Sequence, residues 1–454
     1  RMEQKAKKGR PFGFYICALG FTFERMAFYT VKYLLAIWLA TDVAKGGLGS
    51  DSVAGATMSA QFVAWTYITP MIGGYIADHF ISPRLCVTIG MILMGIGYLV
   101  AWKATGTGLV WVMIILVSIG TGFFKGNLSG VNALLFDDPD ELNAAFSIQY
   151  SFVNIGSFIG TTFIAVMAIG DNPTMSFQGV FGLCGCLLFF DALLFVFGGR
   201  KALGDAGKAP FKKDQREFVS EEKRAAASQP LTSGDKKRIV VIVIVTIFSA
   251  FFWMVWYMAY MPAYYTFGWG DGSDFLNIAD WHLFGKLIPT SYFDSMNALV
   301  CIILGPVMAV VWNKLAAKGK DPSMFKKTGI GTILIGLSYV VMVIAYVQAG
   351  GQKEGTSCLW IFLVSLLMSV GEMIFSPLGN SFINKLAPAK VLGLLLGFWP
   401  FAVFIAQQLY PRVFAVLQAG PFVKGYGITA AVTIIVGVLM CIFSGKLDNM
   451  EKTE

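Results

Sequence analysis

The chain has 454 residues, of which 56% are apolar and only 14% charged, and its mean hydropathy is +0.66, whereas soluble domains carry roughly one quarter charged residues. This excludes an ordinary water-soluble enzyme or binding domain and makes a lipid bilayer the natural surroundings. The formal net charge of +8 would suit a nucleic-acid partner only if the basic residues formed a patch; they follow a topological pattern instead, so no nucleic-acid partner is expected.

A membrane-crossing helix takes about twenty mostly apolar residues. Twelve such segments are predicted, near 13–40, 52–77, 84–104, 108–136, 142–170, 176–199, 237–267, 288–314, 325–349, 358–384, 391–419 and 424–445. In the first, Phe21, Glu24, Arg25, Phe28, Tyr29 and Lys32 recur at the i, i+3, i+4, i+7 spacing that places them on one helix face. An ionisable group at the centre of a membrane helix costs roughly 2.5–3.5 kcal/mol on insertion scales, so this face is expected to line a cavity rather than meet lipid. The second segment runs into Gly73-Gly74-Tyr75-Ile76-Ala77-Asp78-His79, followed by Arg84.

The fourth segment contains Gly122-Phe123-Phe124-Lys125-Gly126-Asn127-Leu128-Ser129-Gly130, with glycines four apart where a partner helix can come close. Ser129 and Asn132 continue the lysine's face. In the fifth, Ser147, Tyr150, Ser151, Asn154 and Ser157 form an uncharged polar stripe. Residues 200–236, rich in Lys, Glu, Ala and Ser, read as a connector. The organisation is therefore a six-helix bundle over 1–199, a cytoplasmic linker over 200–236 and a second six-helix bundle over 237–454.

In the second half, the eighth segment offers Ser291, Asp294, Asn297 and Cys301, with Asp294 expected near the outer end and solvated there. The tenth places Ser369, Glu372, Ser376 and Asn380 on one face, and Pro377 would free the carbonyl of Met373 beside that carboxylate, a plausible gate. The eleventh has Trp399-Pro400, and Arg412 is expected to snorkel to the interface.

With both termini cytoplasmic, twenty-six of the 35 basic residues fall on the cytoplasmic side, five on the opposite side and four, Arg25, Lys32, Lys125 and Arg412, inside apolar segments. The positive-inside rule then fixes the orientation. The seven cysteines have no metal-type or redox spacing and are expected to be buried packing residues. His79 and His282 are both placed in loops, leaving no nucleophile–base pair or metal cluster, so neither an enzyme nor a cofactor is expected. The intramembrane charges predict a cavity basic on the N-terminal wall (Arg25, Lys32, Lys125) and acidic at Glu372 on the other. Such a cavity suits a zwitterion, its carboxylate at the lysines and its amine at Glu372 with help from Asn154 and Asn297.

Two six-helix halves joined by a long connector, with a Gly-x-x-x-Asp segment after the second span, resemble the major facilitator superfamily. Phe21-Thr22-Phe23-Glu24-Arg25-Met26-Ala27-Phe28-Tyr29 resembles the first-span motif of its proton-coupled oligopeptide transporters, Glu-x-x-Glu-Arg-Phe-x-Tyr-Tyr. Phe124-Lys125-Gly126-Asn127-Leu128-Ser129, the fifth-span stretch ending Asn154-Ile155-Gly156-Ser157, Gly371-Glu372-Met373-Ile374-Phe375-Ser376-Pro377-Leu378-Gly379 and Lys385-Leu386-Ala387-Pro388 are similar to further motifs of that family. The resemblance implies a peptide pocket in which Tyr29, Lys32, Tyr67, Lys125 and Asn154 meet the carboxylate end or backbone, while Asn297, Glu372, Ser376 and Trp399 meet the amine end and side chains. It implies proton coupling or ion pairing through Glu24, Arg25, Lys125 and Glu372. The first glutamate of the motif is Phe21 here, and the usual seventh-span glutamine is missing from Phe252-Trp253-Met254-Val255-Trp256-Tyr257-Met258-Ala259-Tyr260-Met261.

The expectation is a monomeric, multi-pass transporter of the plasma membrane or a bacterial inner membrane. It would move small peptides or peptide-like zwitterions with protons by alternating access, with altered coupling. The alternative is a divergent member handling a modified amino acid, a drug-like molecule or another amphiphilic organic anion, as exporter or uniporter.

Overall fold

The computed structural model describes residues 10–170, 172–211, 230–376 and 379–451. Long apolar runs, each closed by a turn or cap, fold as α1 (Phe12–Ala40), α2 (Ser52–His79), α3 (Pro83–Trp102), α4 (Thr107–Ala133), α5 (Pro139–Ile159) and α6 (Phe177–Leu193). After the connector come α7 (Ser233–Tyr265), α8 (Tyr292–Ala317), α9 (Met324–Ala349), α10 (Leu359–Phe375, resuming as Gly379–Leu386), α11 (Leu392–Gln418) and α12 (Phe422–Glu451). Among the described residues ten helices are long and apolar enough to cross a membrane. The other two, α1 and α2, are 29 and 28 residues long, and α1 is buried along nearly its whole length, so its polar side chains meet protein rather than lipid.

Side chains set the helix starts. Asp51 accepts from the amide of Ala54 at 2.6 Å, and Ser176 and Ser323 cap α6 and α8's successor α9 in the same way. Thr232 and Asp235 form a reciprocal capping box that starts α7 at Ser233, inside the stretch expected to be linker. The connector's central residues, 212–229, lie outside the described residues, as does Pro377 with its expected kink.

Glycine lets the helices touch backbone to backbone. A side chain on Gly73 would run into the carbonyl of Gly122, joining α2 to α4, and Gly331 and Gly371 stand in the same relation between α9 and α10. The helix of α5 widens into a π turn at Gly160–Ile164, where Gly160 admits the backbone of α1 at Met26. At the end of the bundle holding the connector, Arg84 donates to the carbonyls of Ala206 and Gly204 at 2.6 and 2.7 Å and so pins the chain leaving α6.

Contacts between the two sets of six helices concentrate at the opposite end, where the loops 41–51 and 266–291 lie. The amide of Asp42 donates to the carbonyl of Asp271 at 2.7 Å and that of Ser52 to the carboxylate of Asp274 at 2.6 Å. Tyr265 donates to the carbonyl of Ala36 and Tyr410 to that of Ala56, at 2.9 and 3.1 Å. Gln61 of α2 and Gln408 of α11 bond amide to amide at 2.8 Å. This end is sealed. The loop 266–291 holds structure the sequence did not announce: a hairpin of His282–Leu283 with Lys286–Leu287, and a parallel pairing of its Ala279–Asp280 with Thr356–Ser357 of the connection between α9 and α10.

Two expectations need correction. His79 is the last residue of α2, its ring nitrogen 2.9 Å from the carbonyl of Tyr75, rather than a loop residue. Five cysteines are buried as expected, but Cys186 is exposed on the bundle surface and Cys441 partly so, because apolar thiols are tolerated against lipid as well as in a core.

Candidate functional site

A cavity opens between the two sets of helices, beneath the sealed end. Arg25, Phe28, Tyr29 and Lys32 of α1 and Val63, Thr66 and Tyr67 of α2 line one wall; Trp253, Trp256 and Tyr257 of α7, Asn297 of α8 and Glu372 of α10 line the other. A small, narrow space continues past Lys32 among Tyr257, Tyr260, Tyr264 and Tyr410. The α1 face read from the sequence therefore does face a cavity, and for the reason given: its charges would be costly in lipid.

The charges are arranged in pairs. The guanidinium of Arg25 donates through Nε and Nη2 to both carboxylate oxygens of its neighbour Glu24, a two-pronged bond that satisfies both groups without solvent. Its plane also packs over the ring of Phe28 at 4.3 Å. Within the group Glu24, Arg25 and Lys125, the acid thus pairs with Arg25.

Lys32 reaches across to the other half. Its ammonium lies 3.2 Å from Asp294, whose second oxygen accepts from Tyr264 at 2.7 Å, and it sits 3.9 Å over the ring of Tyr260. Asp294 is 4% exposed. The expectation that it is solvated near the helix end is overturned, because the Thr290–Asp294 turn is covered by α1 and α7. Tyr33 of α1 bonds Thr290 at 2.5 Å on the same seam. Below it, Ser295 meets Thr161 and Thr162 of the α5 π turn at 3.0 and 2.9 Å.

Glu372 and Lys125 have no ion-pair partner among the described residues. The carboxylate of Glu372 accepts from Asn297 at 2.9 Å, and the same amide reaches Ser369 at 3.1 Å. The ammonium of Lys125 lies 5.0 Å over the ring of Tyr67, whose hydroxyl faces that of Tyr257 at 3.4 Å. Phe21 packs edge-on against Phe124, ring centroids 5.5 Å apart, and brings no acid toward Lys125.

Of the residues singled out in the sequence, Arg25, Tyr29, Lys32, Tyr67, Asn297 and Glu372 come together on the cavity wall. Lys125 touches it through Tyr67. Asn154 is turned to its own helix, donating to the carbonyl of Tyr150 at 2.9 Å. Trp399 packs on Phe375 at 6.3 Å, and neither it, Ser376, Asn154 nor Glu24 is among the lining residues. The sequence reading missed the aromatic wall of α7 as a face. Trp253, Trp256, Tyr257, Tyr260 and Tyr264 follow helical spacing and touch one another edge-on or tilted, with centroids 4.8 Å apart for Trp256 and Tyr260, a periodicity the sequence itself carries.

Comparison with known proteins bears on the family and the fold. The Major Facilitator Superfamily matches residues 17–411. The chain is 22% identical to a di-/tripeptide transporter of Lactococcus lactis subsp. cremoris over 97% of this chain and 96% of that one. It is 26% identical to dipeptide and tripeptide permease B of Xenorhabdus bovienii over 95% and 94%. A crystal structure of the peptide transporter POT in complex with alafosfalin superposes with a TM-score of 0.84 at 22% identity, covering 99% of this chain and 98% of that one.

Proposed function

Because the chain belongs to the major facilitator superfamily and groups within it with the proton-coupled oligopeptide transporters, we propose that it carries small peptides or peptide-like zwitterions across the membrane by alternating access. The observation that carries this reading is the charge balance in the cavity and directly behind its wall at Tyr67. Arg25 and Lys32 are each matched by a carboxylate of the protein, whereas Lys125 and Glu372, one from each half, have no ion-pair partner among the described residues. One free cation and one free anion fit the two ends of a zwitterion, and charge-assisted bonds at both ends discriminate against molecules lacking either. Asn297 orients Glu372 toward an amine, and the tyrosines and tryptophans supply an apolar wall for side chains.

In this reading residues 1–199 and 237–454 are the two rocking halves and 200–236 the cytoplasmic connector, with both termini cytoplasmic. The sealed end then faces outward, and Lys32–Asp294 is part of its closure. Transport is coupled to protons through Glu24, Arg25, Lys125 and Glu372, the protein acts as a monomer without cofactor or enzymatic step, and the setting is a plasma membrane or bacterial inner membrane.

A second reading, export or uniport of an amphiphilic organic anion or modified amino acid, is favoured by the aromatic wall of α7. A thermal-shift screen of the purified protein separates the two. Di- and tripeptides with free termini should stabilise it and N-acetylated peptides should not; stabilisation by organic anions alone would select the second reading.

A further inference from the structure

Asp191 lies within α6, 1% exposed, and neither of its carboxylate oxygens has a hydrogen-bond partner among the described residues. The other acids deep in the bundle each have one: Glu24 has Arg25, Asp294 has Lys32 and Tyr264, Glu372 has Asn297. Oδ1 of Asp191 lies 3.8 Å from the point where a side chain would begin on Gly20 of α1, one turn before Glu24 and on the same face. Asp191 is thus within van der Waals reach of α1 at this point.

The groups around this corner are few. Glu24 of α1 acts on Asp191 electrostatically, with Arg25 bound to it. From α3 comes Tyr98, 1% exposed, its hydroxyl also unpartnered and within reach of the charges of Glu24 and Arg25. Cys184 is contributed by α6 itself. Leu128 of α4 and Met91 of α3 close the space against Gly20, and the turn at Ala165–Ala168, also packed on α6, has no titratable side chain. A carboxylate here would give up its hydration for no donor in return, at a cost of several kcal/mol, while a carboxylic acid would not.

We propose that Asp191 is a proton-binding site of this protein, linked to the cavity through Glu24 and Arg25. This deepens the proton-coupled reading above and rests on it only for the consequence in transport. With its proton, Asp191 is neutral and Arg25 is left wholly to Glu24. When the O–H bond breaks and the proton passes to water admitted during the cycle, the bonding pair stays on the carboxylate. The new negative charge repels Glu24, the bidentate partner of Arg25, and so disturbs that pair. Arg25 rests on Phe28 and lines the cavity, so its displacement is felt where solute binds. Rebinding a proton restores the starting arrangement, and one proton is taken up and released per round.

The test has a spectroscopic and a transport arm, both on the full chain in lipid. Infrared spectra without any solute should contain a C=O stretch of a buried carboxylic acid that Asp191→Asn removes and Glu24→Gln displaces. In proteoliposomes Asp191→Asn should lose stimulation of peptide uptake by an inward proton gradient while keeping counterflow exchange at the wild-type rate. If Asp191→Asn removes no acid band, the residue is ionised and the proposal fails. If the band is lost but gradient stimulation is unchanged, the proton never moves and the proposal fails as well. Should the asparagine variant not be recovered, Asp191→Glu must retain an acid band at a shifted position, and absence of that band overturns the assignment. The infrared arm uses no peptide, so a protein that transports none would sink the peptide reading while the band still decides whether Asp191 holds a proton.

Discussion

Asp294→Asn removes the charge that holds Lys32 at the seam between the two halves. Taking away one partner of a buried ion pair typically costs about 3–5 kcal/mol, because the other charge stays buried without compensation. Here the asparagine still accepts from Tyr264, and Lys32 keeps its seat 3.9 Å over the Tyr260 ring, an interaction worth about 1 kcal/mol in a partly desolvated site. At the lower end of that range the loss to the sealed state is then about 2 kcal/mol, which corresponds to about a thirtyfold rise in the population of the state in which that end is open. Hydrogen exchange reads this directly, since the amides of Asp42 and Ser52 are protected only by acceptors across the seam, Asp271 and Asp274. Both amides should exchange about thirtyfold faster in Asp294→Asn where opening is fast relative to exchange, and no faster in Arg412→Ala, which alters an exposed residue. Unchanged protection of Asp42 and Ser52 in the asparagine variant would refute the idea that the Lys32–Asp294 bridge closes this end.

Glu372→Gln keeps the bond to Asn297 but drops the charge, and should weaken binding of dipeptides with a free amino terminus by about 1.5–3 kcal/mol by titration calorimetry while leaving N-acetylated analogues unaffected; equal loss for both would remove Glu372 from amine recognition. Gly73→Ala drives a methyl into the carbonyl of Gly122, and should destabilise the detergent-solubilised protein by about 1–3 kcal/mol through strain at the α2–α4 contact; a melting temperature equal to that of the parent would show that the helices shift to make room. A double-mutant cycle of Gln61→Ala and Gln408→Ala should give a coupling of about 0.5–1.5 kcal/mol in the protection of the sealed end, and additive effects would mean that the paired amides do not couple the halves.

Much of the fold was legible because membrane helices announce themselves by length and apolarity, and ten of the segments meet that standard outright. The cavity face of α1 was legible for a related reason: Glu24, Arg25 and Lys32 have no cheap place in lipid, so their common face had to meet protein or water. What periodicity could not supply is which charge meets which. Glu24 is adjacent in sequence to Arg25, and the bidentate geometry that joins them depends on side-chain rotamers. Asp294 counted from its helix end looks solvated, and is buried only because Lys32, 262 positions earlier, and Tyr264 arrive there in three dimensions. The π turn at Gly160–Ile164 and the hairpin at 282–287 depend on local hydrogen bonding that leaves no apolar period to read. Asp191 carries no such signal: a lone acid in an apolar run has no patterned neighbours, and its isolation exists only once α1 and α3 are packed around it.

The central claim is that the cavity between the halves passes a zwitterion, and uptake of a labelled dipeptide into proteoliposomes, with and without an inward proton gradient, tests it most directly. The account predicts saturable uptake that is inhibited by unlabelled di- and tripeptides, is abolished together with peptide-induced thermal stabilisation in Lys125→Ala, and is raised by the gradient. Absence of saturable peptide uptake under both conditions, from protein that is folded and correctly inserted, would contradict it.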